Sequence, residues 1–201
     1  MIKGKTITLL SLSTDKPESS LKALKHCKTI FPFFDKIKLL SGFDDEKEDV
    51  IIQKVPVNSY VDYNRFMVES LNNYVDTDYC LIIQDDGYII NPHLWNDSFL
   101  EYDYIGAPWP WHKVCGNGGF SLRSKEFLKL SSKLFYQEEH HEYSCAPEDW
   151  FLCVKNRMYF LINQMKFAPL DLAQSFSFET PIGLANEGKH SSFGFHGKHN
   201  L

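Results

Sequence analysis

The clearest chemistry in this sequence lies where an apolar segment ends on two carboxylates. Residues 79–84 (YCLIIQ) are followed directly by Asp85, Asp86 and Gly87. Ligands of open α/β sheets bind at the carboxyl ends of strands, and a glycine there lets the backbone turn sharply. A hard divalent cation needs only one or two such carboxylates when phosphate oxygens and water supply its other ligands. The pattern therefore favours a metal and diphosphate site, with a plain Asp-Gly turn as the alternative.

A glycine-rich segment is the second candidate for ligand binding. Residues 115–124 (CGNGGFSLRS) carry three glycines in four positions, among them Gly118 and Gly119. Glycines allow the backbone to approach a ligand closely, and Asn117 can hydrogen-bond to sugar hydroxyls. The segment does not end on the Gly-Lys-Ser or Gly-Lys-Thr of a phosphate-binding P-loop. A plain hairpin turn is the alternative.

Two adjacent acids follow Pro147, where a helix is expected to begin. Glu148 and Asp149 are candidates for a general base, because a positioned carboxylate can accept a proton from an attacking hydroxyl group. Acids in a first helical turn also complement the helix dipole without any catalytic role, which is the alternative.

The C-terminal residues 193–199 (FGFHGKH) combine a metal-ligand type with a cation. His196 is a common type of metal ligand, and Lys198 suits a phosphate. The two phenylalanines of this segment indicate that it packs against the rest of the chain, whereas a disordered terminus is the alternative. We expect Gly194 and Gly197 to act as hinges that let the segment close over a ligand.

Segments with strand and helix periodicity must position these residues. Strand patterns occur at residues 6–13, 36–40, 50–55 and 79–84, and helical spacing of apolar residues occurs at 17–31, 62–74 and 124–135. Asp62 is the expected N-cap of the second helix, and loops should dominate residues 91–119. The alternation predicts an α/β fold, with one domain and a mostly parallel central sheet flanked by helices.

Length and charge restrict the function classes. A chain of 201 residues with 43% hydrophobic residues can bury one substantial core. The formal net charge of -5 argues against the clustered basic surface that nucleic acid binding requires. No apolar stretch reaches the length of a membrane span, and the five cysteines show no C-x-x-C pair. We therefore expect a soluble cytoplasmic protein with reduced thiols. If its substrate lies on a membrane, the protein must reach that substrate from solution.

Taken in order, these segments resemble the GT-A class of glycosyltransferases. More narrowly, they resemble a family of short glycosyltransferase-like domains found in microbes and viruses. The resemblance is carried by residues 63–66 (YNRF), 84–87 (QDDG), 103–109 (DYIGAPW), 116–124 (GNGGFSLRS), 148–149 (ED) and 195–197 (FHG).

The resemblance implies a single GT-A-like, Rossmann-like domain, with a nucleotide-binding half at residues 1–90 and an acceptor-binding and catalytic half at 91–201. It implies transfer of a hexose or deoxyhexose from a nucleotide diphosphate sugar, by default a UDP-sugar, to a hydroxyl group of a glycan or glycoconjugate acceptor. Mn²⁺ or Mg²⁺ would be the cofactor, and the anomeric centre would be inverted, with retention as the alternative. A viral protein of this kind would act in the host cytoplasm.

The resemblance also implies a role for each candidate residue. Asp86 and His196 would bind the metal, and Asp149, with Glu148 beside it, would be the catalytic base. Gln84 stands where this class has the first acid of its Asp-x-Asp motif, so Asp85 could bind metal, ribose or donor sugar. The remaining donor contacts would be Ser11, Ser13, Thr14, Arg65 and Lys198, and the acceptor or donor sugar would meet Asn117, Gly118, Gly119, Trp109 and Trp111.

Two other function classes use similar features. A sugar nucleotidyltransferase also combines an α/β fold with two-acid metal chemistry, but residues 11–20 lack the glycine-rich basic loop expected after its first strand. A non-catalytic module that binds nucleotide sugars or glycans is the second alternative, because fold resemblance alone does not establish activity.

Overall fold

A seven-stranded mixed sheet forms the centre of this computed structural model, which describes residues 2–47, 49–136, 146–183 and 188–201. The strands are β1 (Ile7–Leu12), β2 (Lys36–Ser41), β3 (Asp45–Lys47), β4 (Val50–Lys54), β5 (Tyr79–Ile83), β6 (Tyr88–Ile89), β7 (Tyr104–Gly106), β8 (Pro108–Trp109), β9 (Val114–Cys115), β10 (Phe120–Ser124), β11 (Ser177–Phe178) and β12 (Gly194–Phe195). The helices are α1 (Pro17–Ile30), α2 (Tyr60–Arg65), α3 (Lys125–Ser131), α4 (Glu148–Trp150), α5 (Arg157–Ile162) and α6 (Leu170–Phe176). Shorter helical turns include π-helical turns at Phe66–Ser70 and Phe151–Lys155 and a 3-10 turn at Leu71–Tyr74.

The order of strands in the central sheet is β3-β4-β2-β1-β5-β10-β7. Strands β4, β2, β1 and β5 pair in parallel, and β7 runs in the same direction because it is antiparallel to β10, which is itself antiparallel to β5. Only β3 and β10 therefore run against the other strands of this sheet. This confirms the predicted α/β class with a mostly parallel central sheet flanked by helices.

Strand β1 shows why the sheet is covered on both faces. All six of its residues are buried, and its alternate side chains enter different clusters. Leu9 packs with Leu24 and Cys27 of α1, whereas Leu10 packs with Met67 in the helical segment that follows α2. Successive side chains of a strand point to opposite faces, so a continuous apolar strand needs a helical layer on each side.

The antiparallel strand β10 was not predicted from the sequence. Loops were expected through residue 119, followed by a helix at 124–135, but β7 lies within the expected loop region and β10 precedes the helix. The helix itself is shorter than predicted, because α3 ends at Ser131. It begins after Ser124, whose hydroxyl group accepts a hydrogen bond from Phe127 N. Phe120 pairs with Ile83, so β10 starts where β5 ends and its preceding glycine-rich loop lies at that edge.

The helical segment at residues 60–74 is longer at its N-terminus than predicted. Ser59 is the N-cap of α2 and accepts a hydrogen bond from Asp62 N, so the expectation that Asp62 caps this helix was wrong. A serine hydroxyl group satisfies one of the free N–H groups of the first turn equally well. The segment continues through the π-helical and 3-10 turns to Tyr74.

The described C-terminal residues 188–201 pack against the body of the protein. Strand β12 joins β11 and β6 in a small three-stranded sheet, and Phe193 is fully buried beside Phe120 and Phe176. A Cβ atom at Gly194 would lie 2.3 Å from the Phe120 ring, so this glycine permits close packing in a strand. Gly197 has φ +99°, the left-handed region that favours glycine, and turns the chain after His196.

The described cysteines Cys27, Cys80, Cys115 and Cys153 are buried free thiols, and Cys145 lies outside the described residues. Within the described ranges, no helix has the length and apolar character needed to cross a membrane.

Candidate active site

A pocket opens where the parallel strands end. It has a volume of about 400 Å³ and is lined by residues that follow β1, β4 and β5. Ser13 and Thr14 follow β1, and Gln84 and Asp85 follow β5. The carboxyl ends of parallel strands meet at one edge of a sheet, so segments far apart in the chain converge there.

Three of the six expected donor contacts, Ser11, Arg65 and Lys198, are not among the residues that line this pocket. Ser11 is completely buried within β1 and is not among the residues that line this pocket. The Arg65 side chain is 42% exposed, and its Nη1 lies 3.6 Å from Asp62 Oδ1. Tyr63, from the same YNRF segment, lines the pocket instead.

Asp86 and His196 are 110 residues apart in the chain but lie next to each other in the structure. Asp86 Oδ1 lies 3.3 Å from His196 Nε2, and each side chain is only 14% exposed. Nδ1 of the same imidazole lies 3.0 Å from Glu179 Oε1. Burial acts against the charged imidazole, but the hydrogen bonds with Asp86 and Glu179 outweigh it and raise the pKa of His196 to about 9. Burial likewise acts to raise the pKa of Asp86, but the hydrogen bond and charge of His196 outweigh it and lower that pKa.

Gln84 connects this pair to the pocket. Its Oε1 lies 3.1 Å from His196 Nε2, and its Nε2 donates to the hydroxyl group of Tyr63 at 3.0 Å. The position that would carry the first acid of an Asp-x-Asp motif thus holds an amide that hydrogen-bonds on both sides.

The separation of Asp86 and His196 is compatible with two ligands of one divalent cation. Two ligands about 2.1 Å from one octahedral ion at right angles are about 3 Å apart, close to the separation of Asp86 Oδ1 and His196 Nε2. Glu179 contacts the other imidazole nitrogen of His196. Histidines that bind metals are commonly oriented by a carboxylate in this position. Within the described ranges, no group of three or more His, Cys, Asp or Glu side chains is placed to hold a metal, so these two side chains would leave most positions of an octahedral ion to ligands from outside the protein.

The glycine-rich loop lies between His196 and Asp149. A Cβ atom at Gly119 would be 2.1 Å from His196 Nε2, so only glycine allows the imidazole to pack on this backbone. One residue earlier, Gly118 N donates to Asp149 Oδ2 at 2.8 Å. Asn117 is buried, and its Oδ1 accepts from Gly119 N at 3.1 Å, which stabilises the turn itself.

Asp149 has the electrostatics of a proton acceptor near neutral pH. Burial, with a further contribution from the charge of Glu148, raises the pKa of Asp149 to about 7. Hydrogen bonds from the N–H groups of Gly118 and Trp150 oppose this rise. A general base works best when its pKa lies near the working pH.

Glu148 is engaged in a buried ion pair. Its two carboxylate oxygens accept from Arg123 Nη1 and Nη2 at 2.9 and 2.8 Å, and the exposed fractions of the two side chains are 5% for Glu148 and 0% for Arg123. Glu148 N donates to the side-chain oxygen of Asn64, which is itself buried in α2. These contacts fix the start of α4 and hence the position of Asp149.

The remaining candidate residues are dispersed. Trp109 is only 7% exposed and its ring packs over Gly116, whereas Trp111 is 67% exposed. Lys198 is exposed and close enough to Asp86 for its charge to lower the carboxyl pKa.

Sequence reasoning missed several residues that complete this arrangement. Asn64 and Tyr63 stand beside Arg65 in the YNRF segment, but only the structure separates the buried from the surface positions. Arg123 was part of the glycine-rich motif, and its pairing with Glu148 is not visible locally. Glu179 has no sequence signal, because it stands alone after a short apolar segment.

Comparisons with known proteins place this arrangement in context. The family described as "Protein of unknown function (DUF5672)" matches residues 47–196. No curated protein matches the sequence.

Solved glycosyltransferases are similar in fold at low sequence identity. Glucosyl-3-phosphoglycerate synthase from Mycobacterium tuberculosis, in complex with Mn²⁺, UDP and glucosyl-3-phosphoglycerate, is 12% identical, with a TM-score of 0.43 over 63% of this chain and 59% of that chain. S. aureus TarS (residues 1–349) is 11% identical, with a TM-score of 0.46 over 72% and 52%. The galactosyltransferase LgtC, in complex with donor and acceptor sugar analogs, is 13% identical, with a TM-score of 0.44 over 61% and 59%. Each match spans less than two thirds of the solved chain, and such distant likeness identifies neither substrate nor site residues.

Proposed function

The chain belongs to the DUF5672 family, whose matched residues 47–196 include Asp86, Asp149 and His196, and we propose that it is a metal-dependent glycosyltransferase. It would transfer a hexosyl or deoxyhexosyl group from a nucleotide diphosphate sugar, with UDP as the first nucleotide to test. The acceptor would be a hydroxyl group of a glycan or glycoconjugate. Donor binding is assigned mainly to residues 1–90 and acceptor binding with catalysis to 91–201, with one metal ligand from each part.

One observation carries this proposal. Consecutive glycines hold a carboxylate of raised pKa and a carboxylate–imidazole pair on the same short loop, since Gly118 N binds Asp149 and Gly119 packs on His196. A sugar transfer needs these two functions at close range, because negative charge develops on the leaving diphosphate while a proton leaves the acceptor. The loop explains how both groups are kept in place without a side chain between them.

Asp86 and His196 would hold Mn²⁺ or Mg²⁺ against the diphosphate. When bound, the cation would stabilise the negative charge of the leaving group. Asp85, Ser13 and Thr14 line the adjacent pocket, which is of suitable size for a nucleoside, and Lys198 would contribute positive charge near the phosphates.

Asp149 would accept the acceptor's proton. As the acceptor oxygen forms its bond to the anomeric carbon, the bond from that carbon to the diphosphate oxygen breaks and the proton passes to Asp149. The N–H groups of Gly118 and Trp150 orient the carboxylate, and Glu148 positions α4 through Arg123. Such a single displacement inverts the anomeric configuration. Asn117 acts within the loop, and the exposed ring of Trp111 is the better placed of the two tryptophans to meet an acceptor sugar.

The first experiment is a thermal shift assay with UDP, GDP and CDP, each with and without Mn²⁺, because a ligand that binds the folded state raises the melting temperature. A screen of nucleotide sugars for metal-dependent hydrolysis then identifies the donor. We expect one nucleotide to stabilise the protein only with metal, and NMR of the first product to show inversion. Absence of metal-dependent stabilisation by any nucleotide and of hydrolysis of any donor would contradict the proposal.

A further inference from the structure

A second pocket with a volume of about 360 Å³ lies along β9, and none of its lining residues lines the nucleotide pocket. Its wall combines two cations, Lys113 and Arg157, with apolar surface from Phe167 and Leu170. No Asp or Glu is among the residues that line it. The pocket therefore has a positively charged wall on a chain whose formal net charge is -5.

Arg157 is held in place but not neutralised. Its guanidinium carbon lies 4.0 Å from the centre of the Phe167 ring, and its charge acts on the neighbouring thiol of Cys115. Its Nη1 atom is inaccessible to solvent and has no hydrogen-bond partner among the described residues. Arginine remains charged at all ordinary pH values, so the part of the guanidinium group that lines the pocket gives its wall a permanent positive charge.

Lys113 supplies the second charge from an exposed turn. Its backbone has φ +51°, a left-handed conformation that is uncommon for a residue other than glycine, and its N–H group donates to Trp109 O at 2.9 Å. This turn fixes Lys113 at the pocket wall, directly before β9.

We propose that this pocket binds a phosphate monoester, with the phosphate on Arg157 and Lys113 and the organic group on Phe167 and Leu170. Two cations match a phosphate monoester, which carries about -1.5 to -2 charges at neutral pH, better than they match a single carboxylate. The planar guanidinium group also binds phosphate oxygens in pairs. The inference does not depend on the proposed function, because the nucleotide pocket and the Asp86–His196 pair use other residues.

The test is calorimetric titration of the full chain, without divalent metal, with inorganic phosphate, phenyl phosphate and acetate at matched ionic strength. We expect phosphate to bind, phenyl phosphate to bind more tightly because its ring meets the apolar wall, and acetate to bind more weakly than either. Acetate binding as tight as phosphate would overturn the assignment of a phosphate, and no binding of either phosphate would overturn the site.

Three variants locate the binding. Lys113→Asn keeps a residue type that tolerates a left-handed backbone, and it should weaken phosphate binding about tenfold or more because a charge-assisted contact is lost. Arg157→Gln should abolish binding, and if it fails to fold, Lys113→Asn decides. Lys22→Gln is the matched control, since it removes an exposed lysine of α1 that lines neither pocket and should leave phosphate affinity unchanged. If Lys113→Asn leaves phosphate affinity unchanged, the anion binds elsewhere on the protein and the inference is wrong.

Discussion

Replacing Asp149 with asparagine should make the protein more stable above about pH 7 and less active. The pKa of Asp149 rises from its ordinary value of 3.8 to about 7 in the folded protein, chiefly because the carboxyl group is buried. Each pKa unit corresponds to about 1.36 kcal/mol, so the ionised carboxylate destabilises the folded state by an upper limit of about 4 kcal/mol. Asparagine has no charge to bury, so the variant avoids this cost at every pH. Its amide nitrogen cannot accept the hydrogen bond that Gly118 N or Trp150 N now donates, and that loss costs about 1–3 kcal/mol.

The sign of the pH dependence follows from proton binding. Because the folded state holds the Asp149 proton more tightly than the unfolded state, this group's contribution to stability falls as the pH rises from about 4 to about 7 and is constant above that. The free energy of unfolding of Asp149→Asn minus that of the wild type should therefore be lowest at pH 4, where the lost hydrogen bond dominates, and highest above pH 7. Turnover should fall about a hundredfold to ten-thousandfold, since the general base is lost.

Urea denaturation of both proteins between pH 4 and 8.5 measures the difference in free energy of unfolding, and donor turnover is measured on the same preparations. Asp171→Asn, at an exposed acid, is the matched control. A stability difference between wild type and Asp149→Asn that stays constant across this pH range would refute the raised pKa. Full activity of Asp149→Asn would refute its role as base, whatever the stability data show.

Three further predictions concern the groups around Asp149. Asp86→Ala and His196→Ala should each abolish Mn²⁺-dependent nucleotide binding in calorimetry; unchanged affinity in both would show that the metal site is wrongly placed. Gly119→Ala should weaken Mn²⁺ binding while circular dichroism shows a folded protein, because its Cβ atom would displace the imidazole; wild-type metal affinity would contradict that packing. Glu148→Gln should lower the free energy of unfolding by about 3–5 kcal/mol, because it leaves the buried Arg123 unpaired, and Glu148→Met with Arg123→Met should recover much of the loss. Equal stability of Glu148→Gln and wild type would mean that the ion pair contributes nothing.

The strands and helices with strong local patterns could be predicted because their signals lie within a few consecutive residues. Helix α1 and strands β1, β2, β4 and β5 follow from apolar runs and helical spacing. Strand β10 was missed because its five residues are flanked by a glycine-rich loop and a helix, and its pairing partners lie about 15 and 40 residues earlier in the chain. Asp62 was misassigned as a cap because Ser59, three residues earlier, satisfies the same requirement.

For the candidate site, the sequence by itself determined residue types and their order: acids after β5, a glycine-rich loop, an acidic pair and a histidine near the C-terminus. Only the tertiary structure decided that Asp86 and His196 meet, that Glu148 is bound by Arg123 while Asp149 has its pKa raised to about 7, and that Ser11 and Trp109 are buried. The physical reason is that burial, ion pairing and pKa depend on distances between segments that are far apart in the chain. Local patterns determine helices and strands, but they carry no record of which side chains from distant segments come within hydrogen-bonding distance.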